Sequence, residues 1–361
     1  VVVPVIGDTC YVSETGANLP PYDTWERAAT TLADALALKP ANVVVTNGTY
    51  DLTPGYWTIS DAIAVRSVEG PEKTTLRATS VSAADPLYLR MSAGGAFISG
   101  FTFAGATYKS VSKASSLYIQ SAGTVSNCVF RFSGVCDKYP FVALSGSAKV
   151  LDTTFDFAGA THNFGMGTSD YTYSGISVTG NAMLDRCVVK RMKFANTVRS
   201  ATTAPVRLSG AGATLRNSLV TGCTNGTSLA AGSMIQGPGG VHLIQGAVEN
   251  CTIAGNESFL CAGVWLTGGN VVNCLIGDNV TTHENQNYAV FACDSTLIDR
   301  FDHCMAPVRI SKGSFEGSNL FRNVEKGDYR LNGESPARDK GVLEPWMEGA
   351  RDLRGNPRVC N

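Results

Sequence analysis

Hydrophobic residues along this chain recur in short alternating runs, and the runs themselves repeat. The segments VSNCVF (125–130), VLDTTF (150–155), LDRCVV (184–189), LRNSLV (215–220), VENCTI (248–253) and VVNCLI (271–276) share one order. An apolar residue comes first, then a variable position, a residue that is mostly Asn or Asp, a small residue, and a short apolar strand. FISGFTF (97–103) fits one step earlier and DHCMAP (302–307) one step later. The small anchors Cys128, Thr153, Cys187, Ser218, Cys251, Cys274 and Cys304 are 25, 34, 31, 33, 23 and 30 residues apart. About six residues before most anchors lies another apolar strand, as in SLYIQ, FVALSG, GISVTG, PVRLSG, GVHLIQG and GVWLTGG. Each repeat therefore reads as strand, tight turn, strand and variable excursion.

A period of this length is short for a propeller blade, and the asparagine ladders of leucine-rich repeats are missing. The pattern predicts an all-β fold, a single right-handed parallel β-helix whose coils stack at the strand spacing of about 4.8 Å. Within a coil, Val125, Cys128 and Phe130 are expected to face inward around a bend. Equivalent positions then lie over one another, so the small anchors form a stacked internal ladder. Asn or Asp at the bend suits backbone groups left open by the turn.

The ends read differently. DTWERAATTLADALAL (23–38) places Trp25, Ala28, Ala29, Leu32, Ala35 and Leu36 on one helical face, with Asp23 and Glu26 as a capping-box start and Lys39-Pro40 as the stop. It is expected to plug the first coil, followed by a strand in NVVVTNGTY (42–50). The expected division is 1–60 for the N-terminal strand and capping helix, 61–325 for the coils and 326–361 for a closing segment, all one continuous domain.

Composition narrows the partners. Lys and Arg number 29 against 30 Asp and Glu, a net charge of −1, which gives no electrostatic reason to expect nucleic acid. No run approaches the roughly 20 apolar residues of a membrane span. Eleven cysteines without a C-x-x-C pair, and four His (162, 242, 283, 303) without ligand spacing, argue against a metal site. They favour an exported protein, with disulfides expected among the off-ladder Cys10, Cys136, Cys223, Cys261, Cys293 and Cys360. Sequons begin at Asn47, Asn225, Asn250, Asn256 and Asn279.

YVSETG, the W-x-x-A-x-x-x-L-x-x-A segment and VVVTNGTY resemble the opening of pectate-lyase-like parallel β-helix proteins. DYRLNGESPARDKG (328–341) and DLRGNPRVCN (352–361) resemble the closing segment of secreted bacterial β-helix proteins of the choice-of-anchor type. Those continue into a short further strand that this sequence lacks, which implies a longer protein. The resemblance implies a secreted or cell-surface setting, sorting or covalent attachment, and a polysaccharide or glycan as partner. Self-assembly is a further expectation of the surface-subunit alternative.

The acidic cluster and Arg-x-Pro-x-x-Arg of pectate lyases are absent, as are the polygalacturonase motifs. No cofactor is implied by the residues, although a lyase of this fold would add Ca²⁺ held by carboxylates. The strongest remaining constellation is the position three after the anchor. There Arg131, Asp156 and Lys190 form an outward column that suits a uronate or sulfate, with Lys190 as proton acceptor. The alternative is a ladder of exposed ion pairs. Arg191, Lys193, Tyr171 and Tyr173 are further substrate-binding candidates, with Trp265, His162 and Asn163 behind them. The functions left open are a glycan-binding surface protein, a polysaccharide lyase or glycosidase, and a non-catalytic adhesin, spacer or self-assembling subunit.

Overall fold

The computed structural model describes residues 8–52, 57–78, 89–105, 115–136, 140–163, 174–195, 203–226, 237–281 and 285–359. The short alternating runs form strands that are paired in parallel into three long sheets of nine, eleven and fifteen strands. One coil shows the plan: Leu117–Ile119 lies in the first sheet, Thr124–Ser126 in the second and Val129–Cys136 in the third. The fold is a parallel β-helix. Its ladders begin inside the segment assigned to the N-terminal cap, since Thr9–Val12 pairs with Asn42–Val45 and the latter with Ala64–Ser67.

The bore is filled by like on like. Leu76, Phe103, Phe130, Phe155, Val189, Val220, Ile253 and Ile276 occupy successive inward rungs of the third sheet, and all are fully buried. Phe103 and Phe130 stack with ring centroids 4.5 Å apart.

All seven anchors are buried, none more than 2% exposed. Each side chain donates to the carbonyl two residues back, as from Thr153 Oγ1 to Leu151 at 2.7 Å and Ser218 Oγ to Arg216 at 2.7 Å. Each also serves the neighbouring coil where it accepts. The Cys187 N–H donates to Ser218 Oγ at 3.0 Å, and the Cys251 N–H reaches Cys274 Sγ at 3.5 Å. A small side chain with a polar tip satisfies both demands without filling the bore. Burial pushes the Cys128 and Cys187 thiols up to about 12, so they stay protonated and inert.

The residue before each anchor takes the left-handed conformation. Asn127, Asp152, Arg186, Asn217, Asn250, Asn273 and His303 have φ between 47° and 55°. Asn and Asp tolerate that region better than most residues, which accounts for the Asn-Cys dipeptide. A second left-handed bend follows four residues after the anchor, at Arg191, Gly222, Gly255 and Asp278. It carries its own short ladder, in which Asn256 Oδ1 accepts from the Cys223 N–H at 3.1 Å and Asn279 Oδ1 from the Asn256 N–H at 2.9 Å. Sequence alignment on the anchor contained this ladder at its fifth following position, and it was missed.

Several expectations are corrected. The helix spans only Leu32–Ala37, with Thr31 as N-cap and Asp34 closing the box: the Asp34 N–H donates to Thr31 Oγ1, which donates to Asp34 Oδ2 at 2.7 Å. Leu32 and Ala35 face the core, whereas Trp25 lies outside the helix, 39% exposed, against the ring of Tyr11. Residues 24–27 form a turn instead, closed by the Ala28 N–H donating to the Trp25 carbonyl at 3.3 Å, and Ala29 then bridges to Val12. Cys10, Cys223, Cys261 and Cys293 are free thiols and form no disulfide, because each occupies its own rung or turn. Cys360 lies outside the described residues, and nothing is described of the Cys136 side chain. Asn225 and Asn256 are buried and fully bonded, so these sequons are not acceptor sites in the folded chain.

Beyond the coils the chain turns back. Leu320 and Phe321 pack on Ala254 and Met305 at the outer surface of the third sheet, and Gly277 lies under the same two side chains. Further on, the tail docks on the bends. The Val342 N–H donates to Asn273 Oδ1 at 2.7 Å, and Asn273 Nδ2 donates to the Val342 carbonyl at 2.8 Å. Arg358 donates from Nε to Asn217 Oδ1 at 2.7 Å and from Nη2 to the Asn250 carbonyl at 3.1 Å. Arg216 sits over the ring of Trp346, 4.6 Å from its centroid.

Candidate functional site

The third-sheet column is formed as the repeat alignment implied. Arg131 is in register with Asp156, Asp156 with Lys190, Lys190 with Thr221, and so on to Ala254 and Gly277. The column changes from charged to small where the returning tail covers it, since a long side chain at Ala254 or Gly277 would collide with Leu320 and Phe321. In the uncovered half the charges engage one another. Asp156 accepts from Arg191 Nε at 3.0 Å and a second time from its Nη2, meets Lys190 Nζ at 3.6 Å, and takes the Ala158 N–H at 3.1 Å. Burial pushes this carboxyl up, but the Arg191 hydrogen bonds, the Ala158 N–H and the Lys190 charge together hold it below the usual range. Lys193 is exposed nearby. Tyr171 and Tyr173 lie outside the described residues, as do all of 137–139 and 164–173.

A different arrangement stands on the first sheet. From Leu89–Met91 to Val264–Leu266, each of its strands buries two apolar residues either side of one that faces away from the bore. Register places Arg90, Tyr118, Ala143, Ser177, Arg207, His242, Trp265 and Ala292 on successive outward rungs. The inward partners, from Leu89 and Met91 to Val264 and Leu266, are buried and fix that alternation. The result is a row with a low floor at Ala143 and Ser177 and bulky polar or aromatic side chains on both sides.

At one side, Arg90 lies over the Tyr118 ring at 5.7 Å and donates to Gln120 Oε1 at 3.3 Å, while Gln120 donates to the Tyr118 hydroxyl at 2.7 Å. At the other, the His242 and Trp265 rings stack with centroids 5.1 Å apart and planes 18° from parallel. His242 is 3% exposed, and its Nδ1 is buried with no hydrogen-bond partner among the described residues. Its Nε2 lies 3.4 Å from Thr267 Oγ1. Burial, and then the Arg207 charge, lower its pKa to about 4, so the ring is neutral at pH 7. Arg207 donates from Nη1 to Ser209 Oγ at 3.3 Å, but its Nε is buried and unpartnered. No carboxylate pairs with Arg90 or Arg207 among the described residues.

Sequence reasoning had these strands in hand (LYI, VAL, ISV, VRL, VHL, VWL) and used them only to define the repeat. Reading their middle residues as a column would have produced the row. Trp265 was considered alone, and His242 only as a metal ligand.

A second recess, of about 470 Å³, lies between the bends at Asn217, Asn250 and Asn273 and the tail residues Tyr329, Arg354 and Arg358. Among the described residues no group of three or more His, Cys, Asp or Glu side chains is placed to hold a metal ion. No helix among them is long and apolar enough to cross a membrane.

No protein-family model matches the sequence, and no curated protein matches it. Solved structures with a similar fold include the catalytic domain of a GH87 α-1,3-glucanase in complex with nigerose, at 13% identity and a TM-score of 0.28, covering 80% of this chain and 67% of that one. The pectin methylesterase from Aspergillus niger is 10% identical with a TM-score of 0.34, covering 94% and 93%. The PL6 family alginate lyase AlyGC is 11% identical with a TM-score of 0.30, covering 84% of this chain and 56% of that one. Function must be argued from this chain's own residues.

Proposed function

We propose that the protein engages polysaccharide along the outer face of its first sheet. The observation that carries this reading is the single in-register row of Tyr118, Ala143, Ser177, Arg207, His242 and Trp265. Rungs repeat every 4.8 Å or so, which suits a polymer running along the helix axis and presenting one group after another. The aromatic rings offer flat apolar surface with polar edges, the low floor gives room for sugar rings, and the arginines supply donors. An exported, surface-attached setting belongs to the same reading and rests on the resemblance of the tail segments. The Arg131, Asp156 and Lys190 column is a weaker place for the polymer, because its carboxylate is already engaged by neighbouring cations.

The test is a titration of the protein against a panel of acidic and neutral polysaccharides, with unsaturated-product absorbance and reducing ends read in the same samples. Trp265→Ala is expected to weaken binding about tenfold with little change in melting temperature. Unchanged affinity in that variant, or no binding across the panel, would overturn the reading.

A further inference from the structure

We propose that Arg207 and His242 form a receptor for the carboxylate of an acidic polysaccharide, making the first-sheet face selective for uronate polymers over neutral ones; this rests on the glycan-binding reading above. The first observation is geometric. Arg207 and His242 are direct neighbours in register, and each holds a buried nitrogen with no partner among the described residues: Nε of Arg207 and Nδ1 of His242. Buried polar groups are ordinarily hydrogen-bonded, so two orphans on adjacent rungs of a polar row are an unfilled demand.

The second observation is charge. Arg186, Arg191, Arg216 and Arg330 are each held by an aspartate, whereas Arg207 has only the neutral Ser209 hydroxyl. Burial pushes its guanidinium downward, a cost that an anionic ligand would reverse.

The chemistry selects an oxyanion with two acceptors. Thr267 Oγ1 lies 3.4 Å from both His242 Nε2 and the Leu243 carbonyl; when its proton goes to Nε2 rather than to Leu243, the ring proton sits on Nδ1 and His242 offers an N–H beside the guanidinium. A carboxylate can meet the partly exposed Arg207 guanidinium first, and takes a second hydrogen bond from His242 once its covered Nδ1 is opened to the ligand. The stack of His242 on Trp265 fixes the ring plane, and Trp265 provides apolar surface next to the anion for the sugar that bears it. Four rungs away along the same row, Arg90 is a second cation with no carboxylate partner among the described residues, at a separation of about 19 Å from the strand spacing. A polymer with repeated carboxylates can meet both, whereas a single sugar acid cannot.

The experiment uses the whole chain with polygalacturonate and alginate, each beside its esterified and therefore uncharged form, at low and moderate salt. The acidic forms are expected to bind at least about tenfold more tightly, with the advantage shrinking as salt rises. Arg207→Ala should remove the preference, weakening the acidic forms far more than the esterified ones. Arg207→Lys should restore it only in part, because an ammonium keeps the charge and loses the forked donors. His242→Phe retains a ring against Trp265 and should reduce the preference several-fold. Monomeric galacturonate and acetate, supplied at the same carboxylate concentration as the polymer, should compete weakly; equal competition would overturn the polymer as the source of the anion. Equal binding of acidic and esterified forms, unmoved by Arg207→Ala, would overturn the receptor while leaving the glycan-binding reading intact. Absence of binding to any polymer, charged or neutral, would overturn that reading and the receptor with it.

Discussion

The outer faces of the first and third sheets are built by the same alternation on the same coils, yet they hold charge in opposite ways. On the third sheet Asp156 is held by Lys190 and Arg191 at once. On the first sheet Arg207 has no carboxylate among the described residues and His242 keeps a buried nitrogen without a partner. A column of charges is thus a poor marker of a site when its members satisfy each other. Demand left unmet under burial is the better marker, because the fold bears its cost and gains nothing from it internally.

The largest test of this contrast is the pH response of His242. Its pKa, about 4 in the folded state, lies below the usual value near 6.5. The unfolded chain therefore binds the proton more readily between those values, and folding stability falls as pH drops from about 6.5 to 4. The loss is about 3 kcal/mol and levels off below pH 4. His242→Phe should remove this component, so that denaturant melts of wild type and variant converge or cross as pH falls. A constant difference between them would mean that the histidine is not held neutral.

A smaller effect belongs to the self-satisfied face. Asp156→Asn should cost about 1 kcal/mol at neutral pH, since two cations lose their partner while most of the geometry remains. Its lowered pKa gives the sign: the contribution is present above the unfolded value near 3.9 and is lost as pH falls through the folded one. Urea melts at neutral and acidic pH should show the variant's deficit shrinking in acid.

The smallest is Lys190→Ala, expected to change neither stability nor glycan affinity by more than about 0.5 kcal/mol. A strong loss of glycan binding in Lys190→Ala would invert the comparison and return the site to the third sheet.

The fold was legible because each coil repeats the demands of the last. A small residue in the bore and Asn or Asp at a left-handed bend are local requirements, and they recur at every rung. The N-terminal helix was legible only as an apolar spacing, and Trp25 joined that spacing without joining the helix; the Thr31–Asp34 cap was the better signal for its start. The ladder cysteines were legible as buried and stacked, but the off-ladder ones were misjudged: composition suggests disulfides, whereas Cys10, Cys223, Cys261 and Cys293 are free thiols. Arg131, Asp156 and Lys190 share one column in register, but whether charges pair or stand alone depends on rotamers and on residues of the next column, such as Arg191, whose reach an alignment does not show. The first-sheet row needed only one more column of the same alignment.

The tail's grip on Asn217, Asn250 and Asn273 makes it a gauge of length. These three asparagines belong to consecutive coils, and Arg358 and Val342 engage them at fixed places along the chain. Removing the 23 residues from one anchor to the next, such as 251–273, would keep every sheet in phase, because the following coil presents the same rungs. It would also move the tail's partners back by one coil: Asn250 would then precede Cys274 and receive Val342, whereas Arg358 would meet Arg186 where Asn217 had stood. A solenoid can in principle add or lose coils freely; this one carries a ruler that counts its last three.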